Sequence, residues 1–191
     1  FKLTRKAVHV VTGFTIFFLS YYFDIYSLSI LITAGTVFSV ITYSSKKYNF
    51  IHTTSGSSIG TLFYPIGLLF SVMILYDMPV QFFRATVMIL SISDTVANLF
   101  GGIRKFNTQF TVLQESKSIF GIAGFAFSAF IIQKIVLPES LTVNNNYLLL
   151  SVLAAINFEV ISCRGSDNFT IPAGCSLFFY LSQRIIFNPV Y

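Results

Sequence analysis

Residues 48–76 read YNFIHTTSGSSIGTLFYPIGLLFSVMILY, and between Lys47 and Asp77 there is no Asp, Glu, Lys or Arg. A helix needs about 20 mostly apolar residues to cross a bilayer. The second half of this stretch comes close to supplying them by itself. Outward from it, further charge-free runs cover 7–23, 25–45, 118–133, 140–158 and 168–183. Together they predict an all-α fold, a polytopic transmembrane helical bundle of about seven helices. The expected spans are 6–23, 25–43, 59–76, 81–101, 118–137, 147–163 and 169–187. Seven such helices leave only about 50 residues for loops. Chemistry is therefore expected at the membrane faces of a single integral membrane domain, 1–191.

Composition points the same way. Of 191 residues, 54% are hydrophobic and 10% are charged, against about 25% charged in an ordinary soluble domain. Such a chain cannot coat a soluble surface. A soluble globular enzyme, a disordered chain and a disulfide scaffold are all excluded. The first apolar run is too long for a signal peptide and is followed at once by another, so it reads as a span. The chain opens on Phe1, and the count of seven applies to these residues alone.

The net charge of +5 is a topology signal, because cytoplasmic loops retain Lys and Arg. Alternating spans put Lys2, Arg5, Lys6, Lys46, Lys47, Arg104, Lys105, Lys117 and Arg164 on one side. The other side receives Arg84, Lys134 and Arg184. The N-terminus is expected in the cytoplasm of a multi-pass cell-membrane protein, and no nucleic-acid partner is expected. Asp24, Asp77 and Glu139 fall in outer turns, whereas Glu115 and Asp167 fall on the cytoplasmic side. Asp94 and Glu159 lie inside spans, where an ionisable group costs several kcal/mol unless it meets a partner or water. Both are candidates for function.

Four polar pieces reach the cytoplasmic side from distant parts of the chain. In 88–102, MILSISDTVANLFGG, the residues Ser91, Asp94, Asn98 and Gly101 share one helical face, opposite Leu90, Ile92, Val96 and Leu99. That face offers oxygen ligands to a hard cation, and would equally serve as a hydrogen-bonded seam between helices. The following loop carries Gly101, Gly102, Arg104 and Lys105. Lys117 and Ser118 then open a helix whose N–H groups favour an anion. In 157–172, NFEVISCRGSDNFTIP, Glu159 ends a span, Arg164 and Gly165 turn the chain, and Asp167 or Asn168 caps the next helix. At the start of the first span, Arg5 and His9 share a face beside Lys6, as a phosphate contact or as a basic belt. The set mixes carboxylates suited to Mg²⁺ with cations suited to phosphate. Mg²⁺ is commonly bound by one or two carboxylates plus substrate phosphates. Nucleotide-dependent chemistry on a lipid headgroup is the expectation. Elsewhere, Gly121 and Gly124 with Ala123 and Ala126 suggest close helix packing, Pro65 suggests a kink, and Cys163 and Cys175 lack metal-site spacing.

These residues resemble the CTP-dependent polyprenol kinase family, which includes phytol, farnesol and dolichol kinases and is similar in turn to the CDP-diacylglycerol synthases. The resemblance covers nearly the whole chain. Arg5-Lys6-x-x-His9 with Gly13 resembles the family's opening motif, and 60–67 resembles its tyrosine-proline-glycine span. Asp94, Ala97 and Gly101 resemble its Asp-x-x-Ala-x-x-x-Gly motif, and Lys117-Ser118 with Gly121 its Lys-Ser-x-Glu-Gly motif. Glu159, Ser162, Arg164-Gly165, Asp167-Asn168 and Pro172 resemble its most specific block. Phe120 stands where the family carries Glu, and Gly102-Ile103-Arg104-Lys105 departs from its glycine-lysine loop. Glu115 is near enough in sequence to supply the missing carboxylate.

The resemblance implies transfer of the CTP γ-phosphate to the hydroxyl of an isoprenoid alcohol or diacylglycerol. Asp94, Lys117, Glu159 and Asp167 would be catalytic, with Asp94 and Asp167 holding Mg²⁺. Arg5, Lys6, His9, Asn98, Gly101, Arg104, Lys105, Ser118, Arg164 and Asn168 would bind nucleotide or phosphate. The expected partners are CTP and a membrane lipid, and a homo-oligomer remains open. Two other readings stand beside this one: a phosphatidate cytidylyltransferase, and a non-catalytic membrane protein or transporter.

Overall fold

The apolar runs wind into helices, and some of these open on a polar side-chain cap. The computed structural model describes residues 2–44, 60–103, 108–113, 115–163 and 165–187, with side chains from Lys6 to Ile185. The helices are α1 (Lys2–Leu19), α2 (Ile25–Ser44), α3 (Gly60–Ile74), α4 (Val80–Met88), α5 (Asp94–Gly101), α6 (Ile119–Val136), α7 (Glu139–Thr142), α8 (Asn145–Val160) and α9 (Asp167–Phe187). A π-helical turn, Ile89–Ser93, joins α4 to α5 in one continuous rod.

The all-α expectation holds. Among the described residues, three helices are long and apolar enough to cross a membrane: Ile25–Ser44, Val80–Gly101 and Ile119–Val136. Lys6–Leu19 and Gly60–Ile74 are apolar but shorter. The first span was expected to run to residue 23, yet α1 closes at Leu19. The reason lies just downstream: the Asp24 carboxylate accepts from the Ser27 N–H at 3.0 Å and caps α2. Residues 20–23 must leave the helix to reach that cap. The Ser27 hydroxyl and N–H hydrogen bonds hold the exposed Asp24 carboxyl below its usual 3.8. Asn144 caps α8 in the same way, accepting from the N–H groups of Asn146 and Tyr147. Helix α3 includes Pro65 within its length.

One element departs from the expected loop. Strands β1 (Gln109–Val112) and β2 (Glu115–Ser118) pair as an antiparallel hairpin, with Phe110 opposite Lys117. Phe110, Thr111 and Val112 suit a pleated strand, and Leu113 turns the chain at φ 48°.

Small residues set the helix spacing. Helix α6 lies against α5 so closely that a Cβ added at Gly121 would sit 2.8 Å from the Ala97 carbonyl oxygen and 3.4 Å from the Gly101 Cα. Gly124 likewise faces Val96 and Phe100. This is the small-residue packing read from the sequence. A Cβ on Gly67 would strike the Asn168 carbonyl and the Pro172 ring, so α3 and α9 meet backbone to backbone. The Val80–Gly101 rod is the central element: 67% of its span-length window is buried, against 22% for α2 and 33% for α6. Phe82 and Phe83 of the rod, with Phe125 and Phe179 from α6 and α9, fill the interior.

Candidate functional site

Asp94 opens α5, directly after the π-helical turn, and its own N–H reaches back to the Ile89 carbonyl. Its side chain is 1% exposed, which requires a compensating charge nearby. Lys6 of α1 supplies it. The Lys6 ammonium donates to Asp94 Oδ2 and lies 3.5 Å from Asp167 Oδ2 at the start of α9. One cation therefore bridges two carboxylates from helices far apart in sequence.

The other oxygen of each carboxylate is held elsewhere. Asn98 Nδ2 donates to Asp94 Oδ1 at 3.0 Å and to the Asp94 carbonyl at 2.7 Å. The Asn168 N–H donates to Asp167 Oδ1 at 3.0 Å. Asn168 is fully buried, and its Nδ2 donates to the Gly60 carbonyl at 2.8 Å, tying the first turns of α9 and α3 together.

A second ion pair lies alongside. Lys117 Nζ donates to Glu159 Oε1 at 2.8 Å, to the Glu159 carbonyl at 2.7 Å and to Ser162 Oγ at 3.0 Å. An ammonium has three donors, and all three are engaged. Glu159 is buried, and its Oε2 has no partner among the described residues. The two pairs form one electrostatic unit: Asp94 feels Lys6, Asp167 and Lys117, and Glu159 feels Lys117, Asp94 and Asp167. Gly165, at φ 87°, makes the turn between Glu159 and Asp167, in a backbone region open chiefly to glycine.

Lys6, Asp94, Asn98, Lys117, Glu159, Asp167 and Asn168 thus come together as the sequence expected. Other expected members stand differently. Lys6 and His9 are both buried rather than forming an exposed basic belt. His9 stacks on Tyr64 with ring centroids 4.5 Å apart, and the Tyr64 hydroxyl donates to the His9 carbonyl at 3.2 Å. Ser118 Oγ accepts from the Gly121 N–H at 3.0 Å and caps α6. Gly101 packs toward Ser118 and Gly121. Arg104, Lys105, Arg164 and the Arg5 side chain lie outside the described residues. Phe120 stacks on Phe100 at 6.1 Å. Glu115 lies three residues up strand β2 from the Ser118 cap, a backbone distance of roughly 10 Å.

The polar face read from the spacing is present: Asn98 bonds the Asp94 carboxylate, and Ser91 packs on Gly13 of α1, the helix that supplies Lys6. Leu90 is buried, while Asn98 is exposed. The π-helical turn Ile89–Ser93 stores an extra residue within this stretch. Tyr64 and Ser93 are site neighbours that the spacing did not single out. Ser93 is fully buried, and its hydroxyl has no partner among the described residues.

Among the described residues, no group of three or more His, Cys, Asp or Glu side chains is arranged to hold a metal unaided. The donor chemistry still fits a hard divalent cation. Asp94 Oδ2 and Asp167 Oδ2 already converge on one positive charge, and a ligand's phosphate oxygens would complete the shell. No family model, curated protein or solved structure matches this chain.

Proposed function

We propose that the chain is a multi-pass membrane lipid kinase that transfers the γ-phosphate of CTP to an isoprenoid alcohol or diacylglycerol at the cytoplasmic face. The observation that carries this reading is the convergence of Asp94 and Asp167 on a single ammonium, beside a buried glutamate with one oxygen unpartnered among the described residues. Membrane insertion is supported by the three span-length helices and by large apolar side chains exposed along them, among them Phe38 at 64% and Phe127 at 71%. A seven-span bundle is part of the proposal.

The geometry supports the following roles. Asp94 and Asp167 would hold Mg²⁺ with the nucleotide phosphates, and the ion would spread the charge of the leaving diphosphate. Asn98 and the Asn168 N–H fix the two carboxylates. Glu159 Oε2 accepts the proton of the lipid hydroxyl as the hydroxyl oxygen bonds to the γ-phosphorus and CDP departs. Lys117 is the positioning residue for Glu159, because its three donors are spent on Glu159 and Ser162. The remaining buried ammonium, Lys6, is the cation available for phosphate.

The test is to incubate the purified protein in lipid nanodiscs with labelled CTP or ATP, mixed prenols and diacylglycerol. CDP and a phosphorylated lipid are expected. Pyrophosphate release from CTP and phosphatidate would instead identify a cytidylyltransferase. No turnover across the panel would overturn the enzymatic reading.

A further inference from the structure

We propose that Lys6 is a resident counter-ion that occupies the divalent-cation position, and that it must be exchanged out before the site can load. This rests on the Asp94–Asp167 site of the proposed function and adds a step to it. Each carboxylate has one oxygen immobilised by an amide, Asp94 Oδ1 by Asn98 and Asp167 Oδ1 by the Asn168 N–H. The two remaining oxygens, both Oδ2, face the same Lys6 nitrogen. A cation seat is therefore already built, and a side chain of this protein fills it.

The charge balance explains why it is filled. Among the described residues of the cluster, three carboxylates (Asp94, Asp167 and Glu159) face two ammoniums (Lys6 and Lys117). Lys117 is committed to Glu159 and Ser162, so among the described residues Lys6 is the cation in direct contact with the aspartate pair. Without it, the buried Asp94 carboxylate and the half-buried Asp167 carboxylate would repel each other at close range. A divalent ion bound there carries twice the charge and would expel the ammonium. The flexible four-carbon stem of Lys6 lets its head turn to the phosphates that arrive with the ion. Two further buried oxygens without partners among the described residues, Glu159 Oε2 and Asn168 Oδ1, mark a site whose hydrogen bonding is incomplete without a ligand.

The experiment uses Mn²⁺, by itself and together with inorganic pyrophosphate as the source of phosphate oxygens, on the whole protein in nanodiscs. In Lys6→Met the seat is vacated, and Mn²⁺ affinity by electron paramagnetic resonance rises about tenfold or more over wild type. Mn²⁺ also raises the melting temperature of the variant more than that of wild type. Should Lys6→Met fail to fold, the wild-type protein carries the test. Labelling of Lys6 by an amine-reactive reagent, read by mass spectrometry, is slow without Mn²⁺ and accelerates with it. Unchanged or weaker Mn²⁺ binding in folded Lys6→Met, or Lys6 labelling indifferent to Mn²⁺, overturns the exchange. The two proposals fail separately. CTP turnover without Mn²⁺-dependent release of Lys6 removes only the counter-ion role. Mn²⁺-dependent release without nucleotide turnover removes only the kinase.

Discussion

Where α1 closes and α4 begins, Arg84 donates to Ser20 Oγ at 2.7 Å and to the Ser20 carbonyl at 2.6 Å, and lies over the Tyr21 ring at 3.7 Å. Lys134, near the end of α6, donates to the Thr142 carbonyl at 2.6 Å. At the other end of α1 and α6, Lys6 and Lys117 face carboxylates instead. Cations are thus settled on neutral oxygens at one end and on buried acids at the other. The first arrangement anchors helix ends and leaves no buried negative charge to compensate. The second confines several ionic groups out of water, where any missing partner is costly. A bundle needing only mechanical closure could have used the first arrangement at both ends.

Substitutions at the two ends should separate these roles. The largest effect is expected for Asp94→Asn, which removes one wall of the proposed cation seat. Nucleotide turnover falls by about 10³-fold or more, while membrane insertion by protease protection is unchanged. Wild-type turnover would detach Asp94 from the chemistry.

Stability gives the next contrast. Lys6→Met strands buried Asp94 and lowers the unfolding free energy in detergent by about 3–5 kcal/mol. Arg84→Met loses hydrogen bonds to neutral groups and costs about 1–3 kcal/mol, with turnover kept. Equal losses at the two ends would erase the distinction.

An effect no larger than that of Arg84→Met tests how the ends are linked. Gly13 of α1 packs on the Ser91 side chain in the π-helical turn, with no room for a Cβ. Gly13→Ala is expected to cost about 1–3 kcal/mol by overpacking and to loosen Lys6 from Asp94, seen as faster amine labelling of Lys6.

The smallest effect is at the outer end. Asp24→Ala removes the α2 cap and lowers the melting temperature slightly at neutral pH. The Asp24 pKa is depressed in the folded protein, so the cap's contribution is complete above the usual value of 3.8 and fades as pH falls through the lower folded value. The difference between Asp24→Ala and wild type should vanish below that window.

The apolar runs were enough to locate the helices, because hydrocarbon length and charge exclusion act locally. Parity of the spans was enough to collect Lys6, Asp94, Lys117, Glu159, Asp167 and Asn168 at one end. Partner choice was not legible. Lys6 and Asp94 are 88 residues apart, and nothing near Lys6 separates a bridging ammonium from a membrane-surface lysine. The pairing of Lys117 with Glu159 depends on the hairpin, whose strand signal in Phe110, Thr111 and Val112 is short and lies within a polar loop. The hydrogen bond from Asp94 to Ile89 has no side-chain signature, since ILSIS suits an ordinary helical turn equally well.

That hydrogen bond bears on where this chain tolerates changes of length. Each residue advances an α-helix by about 100°, so a one-residue deletion in a regular helix rotates everything beyond it. Within Ile89–Ser93 a surplus residue is already stored. Losing one there would let the rod relax to regular pitch, with Phe82 and Phe83 on one side and Asp94 on the other keeping their orientations. The same deletion within α5 would swing Gly101 away from Gly121. The segment bordering the buried acids is therefore also where the central rod has slack.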